Sequence, residues 1–185
     1  MSERKQIGVI SLGVMGQRML ARLAEHPRAR AFAAWDPNPA AVAEVRKRYP
    51  GLGIAATPAE VVGTPALDCL YIASPPASHL AYARQGFDAG LAVFCEKPLT
   101  VDFAAGRKAI ARIEAERRRA AVNFSLASSP GLAAMQTAVR DGSIGEPKRI
   151  EIELAFDQWP RTWQSAAGRW LAERAEGGFS REVLS

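Results

Sequence analysis

Three stretches of the chain hold residue types whose spacing could do chemistry. Ser11-Leu12-Gly13-Val14-Met15-Gly16 lies where an apolar run, Ile7 to Ile10, gives way to helical spacing. Small residues at a strand-to-helix turn let backbone amides at the helix N-terminus approach a dinucleotide pyrophosphate. The usual pattern is G-x-G-x-x-G, and Ser11 stands where the first glycine would be. A mononucleotide phosphate loop on Gly8 and Gly13 would instead need a lysine where this chain has Val14. A tight turn without ligand is the plainer alternative. Asp36 closes the second apolar run about twenty residues beyond Gly16, where a carboxylate accepts ribose hydroxyls and repels a 2′-phosphate. Pro37-Asn38-Pro39 follows, with no adjacent Arg or Lys, so NAD is favoured over NADP. Capping the turn before Pro37 is the competing role for Asp36.

The other two stretches are Ala73-Ser74-Pro75-Pro76-Ala77-Ser78-His79 and Cys95-Glu96-Lys97-Pro98-Leu99-Thr100. Each follows an apolar run, and in an open parallel sheet ligands gather beyond the carboxyl ends of the strands. Lys97 is suited to act as a general acid or as a cation facing a substrate oxyanion. Chemistry alone equally allows a surface lysine paired with Glu96. His79 begins a helix, where capping, lining a nicotinamide and transferring a proton are all open to it. No metal-ligating set is expected.

The elements that must position these residues alternate regularly. Strands are expected at Ile7–Ile10, Ala31–Trp35, Ile54–Ala55, Cys69–Ala73, Leu91–Cys95 and Ala121–Phe124. Helices are expected at Val14–Glu25, Pro39–Arg48 and Ser78–Asp88, with a long one capped by Thr100 and running to about Arg118. Thr57-Pro58-Ala59-Glu60 reads as a capping box. Strands that are apolar throughout and separated by helices imply a parallel sheet covered on both faces. This is a doubly wound α/β domain over residues 1–124. From 125 the pattern changes. Ser129-Pro130 opens a helix to Arg140, with Gly142 beyond its end, and Arg149 to Phe156 alternates apolar and polar. That alternation is the mark of an antiparallel-type strand with one wet face, and no partner strand for it is evident in the chain. The remainder, Asp157 to Ser185, carries three tryptophans and no clear strand. Residues 125–185 are thus expected to be the incomplete start of an α+β second domain.

Among the 185 residues 48% are hydrophobic and 23% charged, which excludes a disordered chain. The net charge of +5 raises an anionic partner. However, Arg107-Lys108, Arg112 and Arg117-Arg118-Arg119 share a segment with Ile110 and Ile113 and with no aromatics. That is the pattern of a wet helix face rather than a nucleic-acid surface. Cys69 and Cys95 lie in apolar runs and read as reduced core residues of a cytoplasmic protein. Glycines at 8, 13 and 16 interrupt the one run that resembles a secretory signal, and no run approaches the roughly 20 apolar residues of a membrane span.

Taken together, I-G-V-I-S-L-G-V-M-G from Ile7, the Asp ending strand two, S-P-P-x-x-H from Ser74 and C-E-K-P-L-T from Cys95 resemble the Gfo/Idh/MocA oxidoreductases. Asp141-Gly142-Ser143-Ile144-Gly145-Glu146-Pro147 is similar to the segment leading into that family's second domain. The resemblance implies a Rossmann domain holding a nicotinamide nucleotide at Ser11, Gly13, Val14, Met15, Gly16 and Asp36. It places Ser74, Pro75, His79 and Glu96 near the cofactor, with Pro98 a candidate cis peptide and Lys97 as the catalytic residue beside the nicotinamide. It implies a sugar or polyol-like small-molecule substrate, and a homo-oligomer when the chain is full length. Gly177 to Ser185 looks like the segment before the second-domain active-site histidine, so the length reads as a truncation. A non-catalytic NAD-binding or regulatory module is the alternative.

Overall fold

The computed structural model describes residues 4–158 together with Thr162, Gln164, Leu171, Glu173, Ala175 and Gly178. From the N-terminus come β1 (Lys5–Ile10), α1 (Val14–Glu25), β2 (Ala29–Trp35), α2 (Pro39–Arg48), β3 (Gly53–Ile54) and α3 (Pro58–Val62). Then follow β4 (Cys69–Ile72), α4 (His79–Asp88), β5 (Ala92–Glu96), α5 (Phe103–Ala115), β6 (Ala120–Asn123) and α6 (Pro130–Arg140). The strands form one sheet in the order β3-β2-β1-β4-β5-β6, with every pair parallel. The chain fills one side of β1, returns, and fills the other beginning with β4. This is the doubly wound α/β architecture that the unbroken apolar runs imply.

Both faces of the sheet are covered, so neighbouring residues of one strand serve two separate cores. Ile10, Ile72, Val93 and Cys95 pack with Val61, Ala83 and Phe87 on one side. Val9, Ala34 and Tyr71 pack with Leu12, Leu20, Leu23 and Val45 on the other. At the start of α2, Asn38 Oδ1 accepts from Ala40 N at 2.9 Å ahead of Pro39. At α3, Thr57 Oγ1 accepts from Glu60 N at 3.2 Å, while the Glu60 carboxylate reaches one residue further back, to Ala56 N at 2.8 Å. The cap of α5 differs from expectation. Asp102 Oδ1 accepts from Ala104 N and Ala105 N at 2.8 and 3.0 Å, and Thr100 Oγ1 accepts only from Asp102 N. A carboxylate serves two of the helix's orphan amides at once and complements its dipole. The helix also ends earlier than expected, at Ala115, and Arg117 then takes a left-handed conformation with φ +50°.

The basic stretch around α5 is a solvated face, as its sequence suggests. Arg112 pairs with Asp88 and Glu116, each at 2.7 Å, and Arg118 pairs with Glu116 at 2.8 Å. Among the described residues no helix is long and apolar enough to cross a membrane, and no cluster of three metal-ligating side chains occurs.

The chain divides into two compact units, residues 1–123 with 167–185, and Phe124–Ala166. In the second unit α6 is capped by Ser129, whose Oγ accepts from Leu132 N at 3.2 Å, and Gly142 follows its end with φ +74°. The strand expected over 149–156 is not formed: these residues join no ladder, and Ile150 and Ile152 are each 78% exposed. A strand's amides bond only to a neighbouring strand, and none stands beside it among this unit's described residues. Trp159, Trp163 and Trp170 lie outside the described residues, as does the Gly177–Ser185 segment apart from Gly178.

Candidate functional site

The turn after β1 is built around Ser11. Its φ is +77°, a left-handed conformation that non-glycine residues seldom adopt. Ser11 N donates to Trp35 O at 2.8 Å, which fixes the turn to the end of β2. Gly16 is required on steric grounds, because a Cβ there would stand 2.0 Å from the Ser11 carbonyl oxygen. At Gly13 a Cβ would meet nothing nearer than Ser11 Oγ at 3.8 Å. Among the described residues nothing else stands within 4 Å of that position. Gly13 precedes α1 and supplies no side-chain cap, so the amides that open α1 are available to an anion.

Asp36 directly follows β2, and its carboxylate faces this turn. Its Oδ2 accepts from Leu12 N at 2.6 Å and from the Ser11 hydroxyl at 3.1 Å, and its Oδ1 accepts from Asn38 N at 2.7 Å. The turn-capping role that the sequence allows for Asp36 is thus formed, through three donors of its own loops. The Asp36 carboxylate, the position at Gly13 and the uncapped start of α1 lie together, and their chemistry fits a ribose and a nucleotide diphosphate.

Across the switch from β1 to β4 lie the other two loops. His79 is buried to 1% exposure at the start of α4, with Nε2 2.7 Å from Ser74 O and Nδ1 2.9 Å from Pro98 O. Its ring is thus a strut between the loop after β4 and the loop after β5. Burial pushes its pKa below the ordinary value, against the opposing pull of the two carbonyls and of Glu96. Ser74 Oγ shares a hydrogen bond with Ser78 Oγ at 2.7 Å, and Pro75 is exposed. The Lys97–Pro98 peptide is cis, and Lys97 is half-buried directly beyond β5.

Glu96, 6% exposed, is held by two residues that local reading of the sequence does not single out. The Tyr71 hydroxyl and Asn123 Nδ2, the latter at 2.6 Å, both donate to Glu96 Oε1. Register explains the meeting. Tyr71 pairs with Phe94 and Glu96 with Asn123, so all lie on one face of β4, β5 and β6. A polar side chain ending strand six opposite a buried glutamate is the signal that could have revealed Asn123. Burial, then the charge and hydrogen bond of Glu96, push the Tyr71 phenol well above its ordinary range.

Residues 5–124 match the family model described as "Oxidoreductase family, NAD-binding Rossmann fold", that of Gfo/Idh/MocA proteins. An inositol 2-dehydrogenase of Pseudomonas fluorescens is 32% identical over 148 residues, which cover 77% of this chain and 43% of that protein. One of Acidothermus cellulolyticus is 29% identical over 144 residues, covering 77% and 42%. Among solved structures, the scyllo-inositol dehydrogenase of Lactobacillus casei with bound NAD(H) and scyllo-inositol superposes with a TM-score of 0.72 at 24% identity, over 77% of this chain and 43% of that one. The chain spans less than half the length of the curated relatives it matches.

Proposed function

The chain belongs to the Gfo/Idh/MocA oxidoreductase family, and from that premise we propose that it binds NAD for hydride transfer to or from a polyol or sugar. One observation carries this reading: the glycine turn, Asp36, the Ser74 loop and Lys97 all lie at the carboxyl ends of strands flanking the β1/β4 switch. When bound, the nicotinamide accepts or gives the hydride. The amides at Val14 and Met15 hold the pyrophosphate, and Asp36 accepts from the adenosine ribose. Ser74 and Pro75 line the crevice, and Lys97 holds or receives the proton of the substrate hydroxyl. Glu96 and His79 position Lys97 and the loop around it. NAD is preferred to NADP because Asp36 is followed by Pro37-Asn38-Pro39, with no cation to meet a 2′-phosphate. The inositol dehydrogenases among the relatives favour a cyclic polyol as substrate, in a homo-oligomer working in the cytoplasm.

Calorimetric titration with NAD and NADP tests the cofactor site, and nicotinamide absorbance in the presence of myo- or scyllo-inositol tests the chemistry. Asp36→Ser should weaken NAD more than NADP. Where inositol turnover is found, Lys97→Ala should lower it by at least about a hundredfold, the scale of a lost proton-transfer group, with NAD affinity kept within a few-fold. Unchanged turnover would remove Lys97 from the chemistry. Binding without turnover would leave a nucleotide-binding module.

A further inference from the structure

Asp36 offers its acceptor sites to a ligand only after its own loop has used most of them. A carboxylate has about four lone-pair positions. Leu12 N and the Ser11 hydroxyl take those on Oδ2, and Asn38 N takes one on Oδ1, leaving one open. The two amides are fixed by the backbone, whereas the hydroxyl belongs to a side chain at the position where such turns more often have glycine. Ser11 cannot move off with its backbone. Its amide is bonded to Trp35 O, and its carbonyl lies against the position where a Cβ on Gly16 would be.

We infer that the Ser11 hydroxyl occupies an acceptor site on Asp36 that the adenosine ribose needs, and so sets how tightly this chain holds its nucleotide. The inference rests on the NAD-binding reading above. A ribose presenting both its 2′- and 3′-hydroxyls requires two sites on the carboxylate. One is open, and the second becomes available only when Ser11 releases its bond. A nucleotide with a single hydroxyl on that ribose needs only the open site and does not compete with Ser11. Ser11 is therefore a specificity-determining residue that weakens the binding of a complete ribose.

The sign of the effect separates this role from a supporting one. If the hydroxyl merely held Asp36 in place, removing it would weaken binding. If it competes, removing it strengthens binding. The test is calorimetric titration of the wild-type chain, Ser11→Ala and Ser11→Gly with NAD, ADP and 2′-deoxy-ADP. Glycine tolerates the left-handed turn and so provides a second variant should alanine fold poorly. The expected result is about two- to tenfold tighter NAD and ADP in the variants, the worth of one hydrogen bond, with 2′-deoxy-ADP unchanged. Equal or weaker NAD and ADP binding by folded variants overturns the inference, as does an equal gain for 2′-deoxy-ADP. A wild-type chain that binds neither NAD nor ADP removes the cofactor reading as well, so the two failures are distinct.

Discussion

His79 Nδ1 lies 2.9 Å from the carbonyl oxygen of Pro98, tying the start of α4 to the loop that carries Lys97. The other ring nitrogen is 2.7 Å from Ser74 O, so a neutral ring, with one N–H, donates to one carbonyl only. A cation would satisfy both, yet desolvation outweighs them and depresses the pKa. The unfolded chain therefore takes up a proton that the folded chain refuses once the pH falls below about 6.5. Stability should be level above that value and fall below it, by up to about 1.4 kcal/mol per pH unit, until the folded pKa is reached. Urea unfolding between pH 5 and 8 measures this slope. His79→Gln should remove it and cost about 1–3 kcal/mol at neutral pH through the broken strut. An unchanged slope in the variant would assign the pH dependence to other groups.

Tyr71 and Asn123 converge on Glu96 Oε1, and deleting one donor leaves a buried acceptor short of a partner. Tyr71→Phe keeps the ring, whose centroid lies 5.6 Å from that of Phe94, so cavity formation contributes little. The expected loss is about 1–3 kcal/mol by chemical denaturation, and Glu96→Gln in the same chain, which puts an amide in place of the carboxyl group, should recover part of it. Additive losses in the double variant would show that the two side chains are not coupled.

Burial pushes the thiol of Cys95 up to about 12 and that of Cys69 to about 11. Only the thiolate attacks a disulfide reagent, so at pH 8 both should react at least about a hundredfold more slowly in the folded chain than in urea. Rapid labelling of Cys95 under native conditions would show that β5 opens far more readily than its place in the core implies.

The same residues show what was legible in the sequence. The parallel sheet was legible because strands covered on both faces are apolar at every position, as in Tyr71-Ile72, which serve opposite cores. The Thr57 cap was legible because it is a local pattern, whereas the choice between Thr100 and Asp102 turned on which side chain reached two amides. Tyr71 and Asn123 were not singled out because their meeting with Glu96 depends on the register of three strands far apart in sequence. His79 stood out, but its partners are backbone atoms of two loops, one of them nearly twenty residues away, which no residue type advertises. The alternation at 149–156 is a real pattern, but a strand forms only beside another strand.

Gly13 and Gly16 lie three residues apart in one motif, yet they should respond differently to the same substitution. Gly13 has φ −65°, ordinary for any residue, and among the described residues a Cβ there makes only an ordinary contact, with Ser11 Oγ at 3.8 Å, so Gly13→Ala should fold with stability within about 0.5 kcal/mol of the parent. Its methyl should weaken NAD binding at least about tenfold through crowding of the phosphates. Gly16→Ala forces a Cβ to within 2.0 Å of the Ser11 carbonyl oxygen, a backbone atom with no free end to swing aside. The helix-propensity gain of about 1 kcal/mol is too small to offset that overlap, and a net loss of about 1–3 kcal/mol is expected. The overlap falls on the turn that leads into the uncapped start of α1, so the stability defect should be accompanied by altered nucleotide binding. Thermal melts alongside NAD titration separate the two. If Gly13→Ala binds NAD normally, that position is not where the phosphates lie.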